Sequence, residues 1–379
     1  MGPLAGVKVV ELQGIGPGPF CGMMLADMGA EIIRVDRAQS VGRPAATGDI
    51  LARGRKSIAV DLKNPEGVET VLKLVESADV LIEGFRPGVT ERLGLGPDDC
   101  LARNPKLVYG RMTGWGQTGT MAHVAGHDIN YISLTGALHA IGDAGRRPVP
   151  PLNLVGDFGG GGMVLAFGIA AALFETARSG QGQVIDAAMT DGSAVLMNAI
   201  YGIMNRDQWG YDRGTNMLDG GAHFYGTYET SDGKWISIGS IEPQFYALLM
   251  EKTGLTGDEQ FAKQMSREDW PGLRARLEEI FLTKTRDEWD AIMLGTDICY
   301  APILNFEEAI EHPHNAARAT FVEQDGVRQA APAPRFSRTE PELPASAGAP
   351  GAETDEILAG VGLDASAIAS LRASGAVAG

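Results

Sequence analysis

Cysteine is scarce in this sequence. Cys21, Cys100 and Cys299 are the only three among 379 residues, and they lie far apart. An odd number of isolated cysteines argues against a disulfide framework, and the lack of a Cys-x-x-Cys pair argues against structural zinc. Long apolar runs are also missing, because the longest covers about twelve residues (163–174) whereas a membrane span needs about 20. The first ten residues do not resemble a signal peptide. We therefore expect a cytoplasmic protein without a membrane partner.

Basic residues are in the minority, with 32 against 48 acidic residues and a net charge of −16. A protein of this charge repels nucleic acid and anionic membranes unless its basic groups cluster. No run of like charge reaches five residues, and the six histidines show no metal-ligand spacing. The sequence predicts neither a nucleic-acid partner nor a metal. If the ligand is an anion, individual arginines must overcome the overall charge.

The first half of the chain alternates between strand-like and helix-like segments. Predicted strands cover residues 7–12, 31–35, 57–60, 79–82 and 107–112, and predicted helices cover 20–28, 64–78 and 129–138. Asn64 is the expected N-cap of the second helix, with Pro65 at its first position. This alternation predicts an α/β fold with a doubly wound, mostly parallel sheet.

The second half begins with long apolar helices and then changes character near residue 219. Glycines 159–162 are expected to form a turn before a helix over 163–178 that Gly180 ends, and a second helix is expected over 186–204. Strands at 224–230 and 234–238 form a predicted hairpin, short helices follow to about 311, residues 330–353 are expected to be extended, and 355–374 helical. We predict a large domain (1–205 and 325–379), a smaller α+β domain (225–310), and linkers at 206–224 and 311–324.

A glycine-rich turn, Gly14 to Pro19, follows the first predicted strand. The dinucleotide fingerprint needs a third glycine where Pro19 stands, so the pattern argues against a nicotinamide cofactor and leaves open an ordinary tight turn. Arg37 ends the second strand directly after Asp36. A cation there suits a phosphate on an adenosine ribose, such as the 3′-phosphate of coenzyme A, although a solvated surface arginine fits the local sequence as well.

Eight short segments, in order, resemble the CoA-transferase family III, and within it the α-methylacyl-CoA racemases. They are VVEL at 9–12, IRVDR at 33–37, VDLK at 60–63, IEGFRPGV at 82–89, RLG at 92–94, MTGWGQ at 112–117, GHDINY at 126–131 and NLVGDFGGG at 153–161. The resemblance implies a Rossmann-like large domain, a small domain, and ring-shaped chains interlinked in a homodimer. It also implies an acyl-CoA substrate, with no cofactor beyond its CoA moiety. The residues expected to contact CoA are Arg37, Val60, Asp61, Leu62, Lys63, Arg86, Arg92, Gly126, Asp128 and Tyr131.

The reaction implied by the racemase resemblance interconverts (2R)- and (2S)-2-methylacyl-CoA through an enolate. Such a reaction needs one acid–base group on each face of the α-carbon. The resemblance assigns these roles to His127 and Asp157, and it assigns the orientation of the His127 ring to Glu242.

Two other functions are compatible with parts of the pattern. A family III CoA-transferase would use Asp157 as a nucleophile, forming an acyl anhydride and then an aspartyl-CoA thioester. A CoA-binding protein without catalysis would need the arginines but not His127, Asp157 and Glu242. The presence of His127 and Glu242 favours the racemase.

Overall fold

The computed structural model describes residues 2–45 and 48–379, and these form two compact units. The first contains residues 2–135, 152–196 and 319–379, and the second contains 136–151 and 197–318. Residues 136–151 and 197–205 thus group with the second unit, although the predicted large domain included them. Met1, where that predicted domain begins, lies outside the described residues.

Within residues 2–45 and 48–379, the first unit is built on a seven-stranded sheet with the order β12-β3-β2-β1-β4-β5-β6. The strands are β1 (Lys8–Leu12), β2 (Glu31–Arg37), β3 (Arg55–Val60), β4 (Val80–Glu83), β5 (Val108–Thr113), β6 (Gln183–Ala188) and β12 (Val377–Ala378). The first six are parallel, and β12 pairs antiparallel with β3. The predicted parallel α/β sheet is confirmed. Strand order reverses between β1 and β4, and a crevice at that point is where such sheets bind ligands.

Helices cover both faces of this sheet. They are α1 (Pro17–Asp27), α2 (Pro65–Val75), α3 (Val89–Arg92), α4 (Pro97–Arg103), α5 (Asp128–Ser133), α7 (Met163–Ser179), α8 (Met189–Leu196), α15 (Thr354–Gly360) and α16 (Ala365–Ala373). Short 3₁₀ turns at Ala38–Ser40 and Ile50–Ala52 follow β2, and a hairpin of β10 (Phe321–Gln324) and β11 (Val327–Ala330) precedes the extended segment 331–353. The helix at 65–75 begins as predicted, because the Asn64 side chain accepts from the Glu66 N–H at 3.0 Å.

Two apolar layers, one on each face of the sheet, hold the first unit together. On one face α2, α15 and α16 pack through side chains such as Val71, Leu358 and Ile368. On the other, α1 and α7 pack through side chains such as Leu25 and Ile169. Both faces of the strands are therefore buried, which explains why β4 is apolar almost throughout.

The expected turn at glycines 159–162 is wrong. Leu154–Gly162 forms a π-helical segment that continues without a break into α7. These glycines serve close packing: a Cβ atom at Gly160 would lie 2.6 Å from the Ser193 backbone nitrogen, and one at Gly162 would lie 2.7 Å from the Pro17 carbonyl oxygen. The combined helix, Leu154–Ser179, is long and apolar enough to cross a membrane by length and composition alone, with a mean hydropathy of 1.6 over an 18-residue window. Core helices of soluble proteins also meet these criteria.

Three other predicted helices are also divided or shortened. Residues 183–188 form β6, because their backbone pairs with β5, and the predicted helix over 186–204 becomes α8 and α9 (Asn198–Met204). The predicted helix over 129–138 stops at Ser133, and Gly136, with φ of +75°, turns the chain before α6 (Ala137–Ala140). The predicted C-terminal helix is the pair α15 and α16.

The second unit has an antiparallel sheet of β7 (Tyr225–Glu229), β8 (Trp235–Gly239) and β9 (Tyr300–Ile303). The predicted hairpin joins β7 to β8, with Gly233 at φ of +71° in its turn. The other elements are α6, α9, α10 (Pro243–Thr253), a 3₁₀ turn at Phe261–Lys263, α11 (Trp270–Phe281), α12 (Arg286–Met293), α13 (Phe306–Glu311) and α14 (Pro313–Ala317). Its core is aromatic, with Phe224, Phe281 and Trp289 fully buried.

Candidate active site

A cavity of about 990 Å³ lies at the carboxyl edge of the parallel sheet in the first unit. Its walls come from the segments that follow β1, β2, β4 and β5, together with α5 and the π-helical segment. Because strand order reverses between β1 and β4, the connections that follow these two strands run in opposite directions and leave a crevice between them. The cavity therefore occupies the position expected for a ligand site in a doubly wound fold.

The glycine-rich turn forms one wall. Gly16 has φ of +68° and precedes α1, which begins Pro17-Gly18-Pro19. Prolines carry no N–H group, so Gly18 supplies the free amide of the first helical turn. In nicotinamide-binding folds several such amides hold the pyrophosphate. This helix start is poor in donors, in agreement with the incomplete fingerprint.

Asp157 lies in the π-helical segment, half-buried in the cavity wall. The Asn153 side-chain amide donates to Asp157 Oδ2 at 3.2 Å, and the Asp157 backbone N–H donates to Asp128 Oδ2 at 2.7 Å. Burial raises the pKa of the Asp157 carboxyl, and the charge of Asp128 raises it further against the opposing effects of Asn153 and His127. A carboxyl with a raised pKa holds and releases a proton nearer neutrality than an exposed one.

His127 immediately precedes α5 and lines the same cavity with an exposed side chain. Its backbone N–H donates to Asn130 Oδ1 at 3.0 Å, which fixes the start of the helix. His127 is also close enough to Asp157 to lower the pKa of that carboxyl. The structure therefore brings the two predicted acid–base residues to one cavity.

The loop that carries His127 is fixed by aromatic packing. The Tyr131 hydroxyl donates to the Gly126 carbonyl oxygen, and the Tyr131 ring packs edge-on against Trp115 at 4.8 Å. A Cβ atom on Gly114 would lie 2.0 Å from the Tyr131 ring, so only glycine allows this approach. Trp115 Nε1 in turn donates to the Val124 carbonyl oxygen at 3.1 Å. Tyr131 and Trp115 thus each bind a carbonyl oxygen of the backbone segment that precedes His127.

Arginines supply positive charge at the cavity. Arg37 and Arg86 line it, as expected for residues that contact an anion, and Arg43 joins them. All three side chains are exposed, and they give the cavity a cationic edge in a protein of net charge −16. Such an edge suits a polyanionic ligand.

Only some of the other predicted site residues line the cavity. Gly126 and Tyr131 line the cavity, and Asp128 lies buried behind Asp157. Val60, Asp61, Leu62, Lys63 and Arg92 are outside the cavity wall, at the end of β3 and in α3. Val60 pairs with Val377, and the Asp61 N–H donates to the Ala376 carbonyl oxygen at 2.9 Å. Glu242 occupies the N-cap position of α10 in the second unit.

Several residues of the site were not identified from the sequence. Asn153 lies four residues before Asp157, and that helical spacing is the signal that could have identified it. Gly16 and Trp115 lie in the glycine-rich turn and the MTGWGQ segment noted in the sequence, but no role was assigned to them or to Arg43, because their roles depend on contacts with distant parts of the chain. Among the described residues, no group of three His, Cys, Asp or Glu side chains is arranged to hold a metal ion.

The sequence profile of CoA-transferase family III matches residues 4–355. The chain belongs to this family. It is 49% identical over 358 residues to the α-methylacyl-CoA racemase of Mus musculus, and this match covers 94% of the chain and 92% of the mouse protein. The corresponding racemase of Homo sapiens is 46% identical over 362 residues, with the same two coverages.

Solved structures from the family share the fold. The crystal structure of a CAIB/BAIF family protein from Brucella suis superimposes with a TM-score of 0.82 at 28% identity, covering 95% of this chain and 99% of that one. The resemblance predicted from the eight sequence segments is confirmed at the level of the family.

Proposed function

We propose that this family III protein is an α-methylacyl-CoA racemase that interconverts (2R)- and (2S)-2-methylacyl-CoA thioesters. The observation that carries the proposal is that His127 and Asp157 line one cavity at the carboxyl edge of the sheet. The high identity to two racemases supports the same reaction. The substrate is an acyl-CoA, and the reaction requires no cofactor beyond its CoA moiety.

The two residues exchange roles with the enantiomer. For one enantiomer, neutral His127 takes the α-proton, the C–H electron pair moves into the enolate, and protonated Asp157 delivers a proton to the opposite face. The enzyme then holds protonated His127 and ionised Asp157, which is the state needed to convert the other enantiomer. The raised pKa of Asp157 supports this cycle, because a proton donor must be populated near the working pH.

Binding of the CoA moiety is assigned to the cationic edge of the cavity. Arg37 and Arg86 would pair with its phosphates, which is supported by their position in the cavity wall. By the family resemblance, backbone groups of residues 60–62 would flank the adenine, and Lys63 and Arg92 would add positive charge beside it. Each of these contacts is testable with shortened CoA fragments.

Three further features follow from the same resemblance. Glu242 would orient the His127 imidazole, so Glu242→Gln should lower kcat more than it changes KM.

The protein would form an interlinked homodimer, and light scattering on the purified protein tests whether its mass is that of a dimer. We also propose that it works in the cytoplasm, which microscopy of a tagged protein in its host tests.

The deciding experiment uses one enantiomer of 2-methylacyl-CoA in heavy water. We expect enzyme-dependent deuterium at C2 together with formation of the opposite enantiomer. His127→Ala and Asp157→Ala should each lower the inversion rate by about 10²–10⁴-fold. The matched controls are His314→Ala and Asp98→Ala, which replace exposed residues outside the cavity.

The main alternative is a CoA-transferase. The half-buried Asp157 carboxyl would also suit a nucleophile, and the family includes this chemistry in its name. Transfer of CoA to added succinate or another acid, without deuterium exchange, would support this alternative and contradict the racemase.

A further inference from the structure

Asp128 connects the two acid–base residues of the site. Its backbone follows His127 directly, and its carboxylate accepts from the backbone N–H of Asp157 at 2.7 Å. We infer that Asp128 is a positioning residue, which sets the spacing between His127 and Asp157. This inference rests on the proposed racemase function, because the spacing matters only if both residues act on one α-carbon.

The Asp157 N–H needs a partner from outside its own helix. The backbone bond at the start of the π-helical segment runs from the Phe158 N–H to the Asn153 carbonyl oxygen, at 3.3 Å. Asp157 precedes it, so its N–H is among those that a helix start leaves without an intrahelical acceptor. Asp128 supplies that acceptor and places a negative charge near the positive end of a 26-residue helix. The hydrogen bond therefore fixes the turn on which Asp157 stands.

Gly156 allows the carboxylate to reach this position. A Cβ atom on Gly156 would lie 2.3 Å from Asp128 Oδ2 and 2.8 Å from its Cγ. Neither atom can move far, because Asp128 is 7% exposed and is anchored in the first turn of α5. Any larger residue at position 156 would thus push the two segments apart.

The second oxygen of Asp128 argues for more than a structural role. Asp128 Oδ1 is buried and has no hydrogen-bond partner in the part of the chain that the structure describes. An unsatisfied buried oxygen is unfavourable for folding and offsets the gain from the helix dipole, so stability gives only a weak reason for a carboxylate here. An asparagine could accept the same N–H without burying a charge. The charge itself points to the chemistry of Asp157.

The groups around Asp157 define what that charge does. His127 and Asp128 act on it from the start of α5, Tyr131 interacts with it from the same helix, and Asn153 donates to it from its own helix. Arg86 lines the cavity and interacts with Tyr131. Of these, Asp128 raises the pKa of Asp157, so removing its charge should lower that pKa.

Two substitutions separate spacing from charge. Asp128→Ala removes the hydrogen bond and the charge, whereas Asp128→Asn keeps an acceptor oxygen and removes only the charge. The control Asp364→Ala deletes a comparable bond, 2.8 Å from the Ala367 N–H at the start of α16 and away from the cavity. Gly156→Ala changes the spacing with the charge retained, and it keeps the test decisive if Asp128→Ala does not fold.

The experiment measures, in heavy water, the ratio of inversion to deuterium exchange with retention for the enantiomer from which His127 takes the α-proton. We expect Asp128→Ala and Gly156→Ala to lower this ratio by about 10-fold, because His127 still exchanges the proton while Asp157 is displaced. Asp128→Asn should keep the ratio within about 2-fold and should shift to lower pH the limb of the kcat/KM profile that Asp157 controls. An unchanged ratio in both spacing variants, or an unshifted limb in Asp128→Asn, would overturn the inference. A wild-type protein that neither exchanges nor inverts would instead refute the racemase function itself.

Discussion

Gly16 lies directly against Asp157: a Cβ atom on Gly16 would come within 3.3 Å of the Asp157 Oδ2 atom. Gly16 also has φ of +68° and ψ of −117°, a conformation that favours glycine. The turn after β1 therefore sets how closely the main chain approaches the carboxyl that we assign to proton transfer.

Replacing Gly16 with alanine should affect activity more than stability. We expect backbone strain of about 1–3 kcal/mol and a fall in kcat of about 10-fold or more, because the added methyl group displaces Asp157. The control is Gly180→Ala, which also has a positive φ but no atom within 4 Å of the added Cβ. Equal kcat values for the two variants would contradict a contact role for Gly16. Kinetics and thermal melting test both points.

Asp157→Asn should abolish most activity and stabilise the fold at neutral pH. The pKa of Asp157 is raised in the folded protein above its ordinary value of 3.8, mainly by burial. The folded state therefore binds the proton more tightly than the unfolded state. Protonated Asp157 therefore adds to the free energy of unfolding. This contribution is fully present below pH 3.8 and is lost as the pH rises through the raised pKa.

At pH 7 the buried charge is consequently unfavourable, and asparagine removes it. We expect a higher Tm for Asp157→Asn at pH 7 and a difference that shrinks as the pH approaches 4. Thermal melts across this range provide the measurement, with exposed Asp98→Asn as the control. A lower Tm at pH 7 would show that the ionised carboxyl is net stabilising.

Arg37→Ala should weaken the binding of CoA more than that of dephospho-CoA. If Arg37 pairs with the 3′-phosphate, we expect about 10-fold weaker binding of CoA and less than about 2-fold for dephospho-CoA. Arg103→Ala removes the same charge from an exposed arginine that pairs with Glu69 and Glu76. Titration calorimetry measures the six affinities of the unsubstituted protein and the two variants for the two ligands. Equal losses for both ligands would place Arg37 elsewhere along the CoA molecule.

Arg55→Met should destabilise the first unit strongly. Arg55 Nη2 lies 2.9 Å from Glu11 Oε2, and both side chains are 1% exposed. Removing the cation leaves an unpaired buried carboxylate, at a loss of about 3–5 kcal/mol, and Glu11→Gln in the same chain should recover part of it. Lys56→Ala breaks the exposed pair with Glu356, for which we expect less than about 1 kcal/mol. Calorimetric unfolding distinguishes these outcomes.

Local signals in the sequence were sufficient for most of the elements around the sheet. Asn64 before Pro65 predicts the start of α2, and Gly180 predicts the end of α7, because capping depends on residues close in sequence. The alternation of strands and helices predicts the parallel sheet, because each strand and helix can be recognised from its own short segment of sequence. Gly136 was overlooked as a break after α5, since an isolated glycine in a helical pattern is often tolerated.

Features that depend on distant contacts were not predictable in this way. Glycines 159–162 look like a turn locally but pack against α1 and α8. Asp186 lies in a strand because β5 offers it a partner. For the site, the family resemblance brought out His127 and Asp157, whereas the hydrogen bond between Asp128 and Asp157 joins residues 29 positions apart. Only the folded chain reveals such a bond.

The division of the first unit into three chain segments has a consequence for its synthesis. The layer packed on one face of the sheet includes Ile357, Leu358 and Ile368, which lie beyond the whole of the second unit in sequence. At about 5–20 residues per second, a ribosome needs on the order of 10–30 s to pass from residue 197 to residue 357. During that interval the six parallel strands already exist, but one apolar face is covered by α2 without α15 and α16. The exposed apolar surface of the nascent chain is therefore a binding site for chaperones. The second unit can complete its own core before the first.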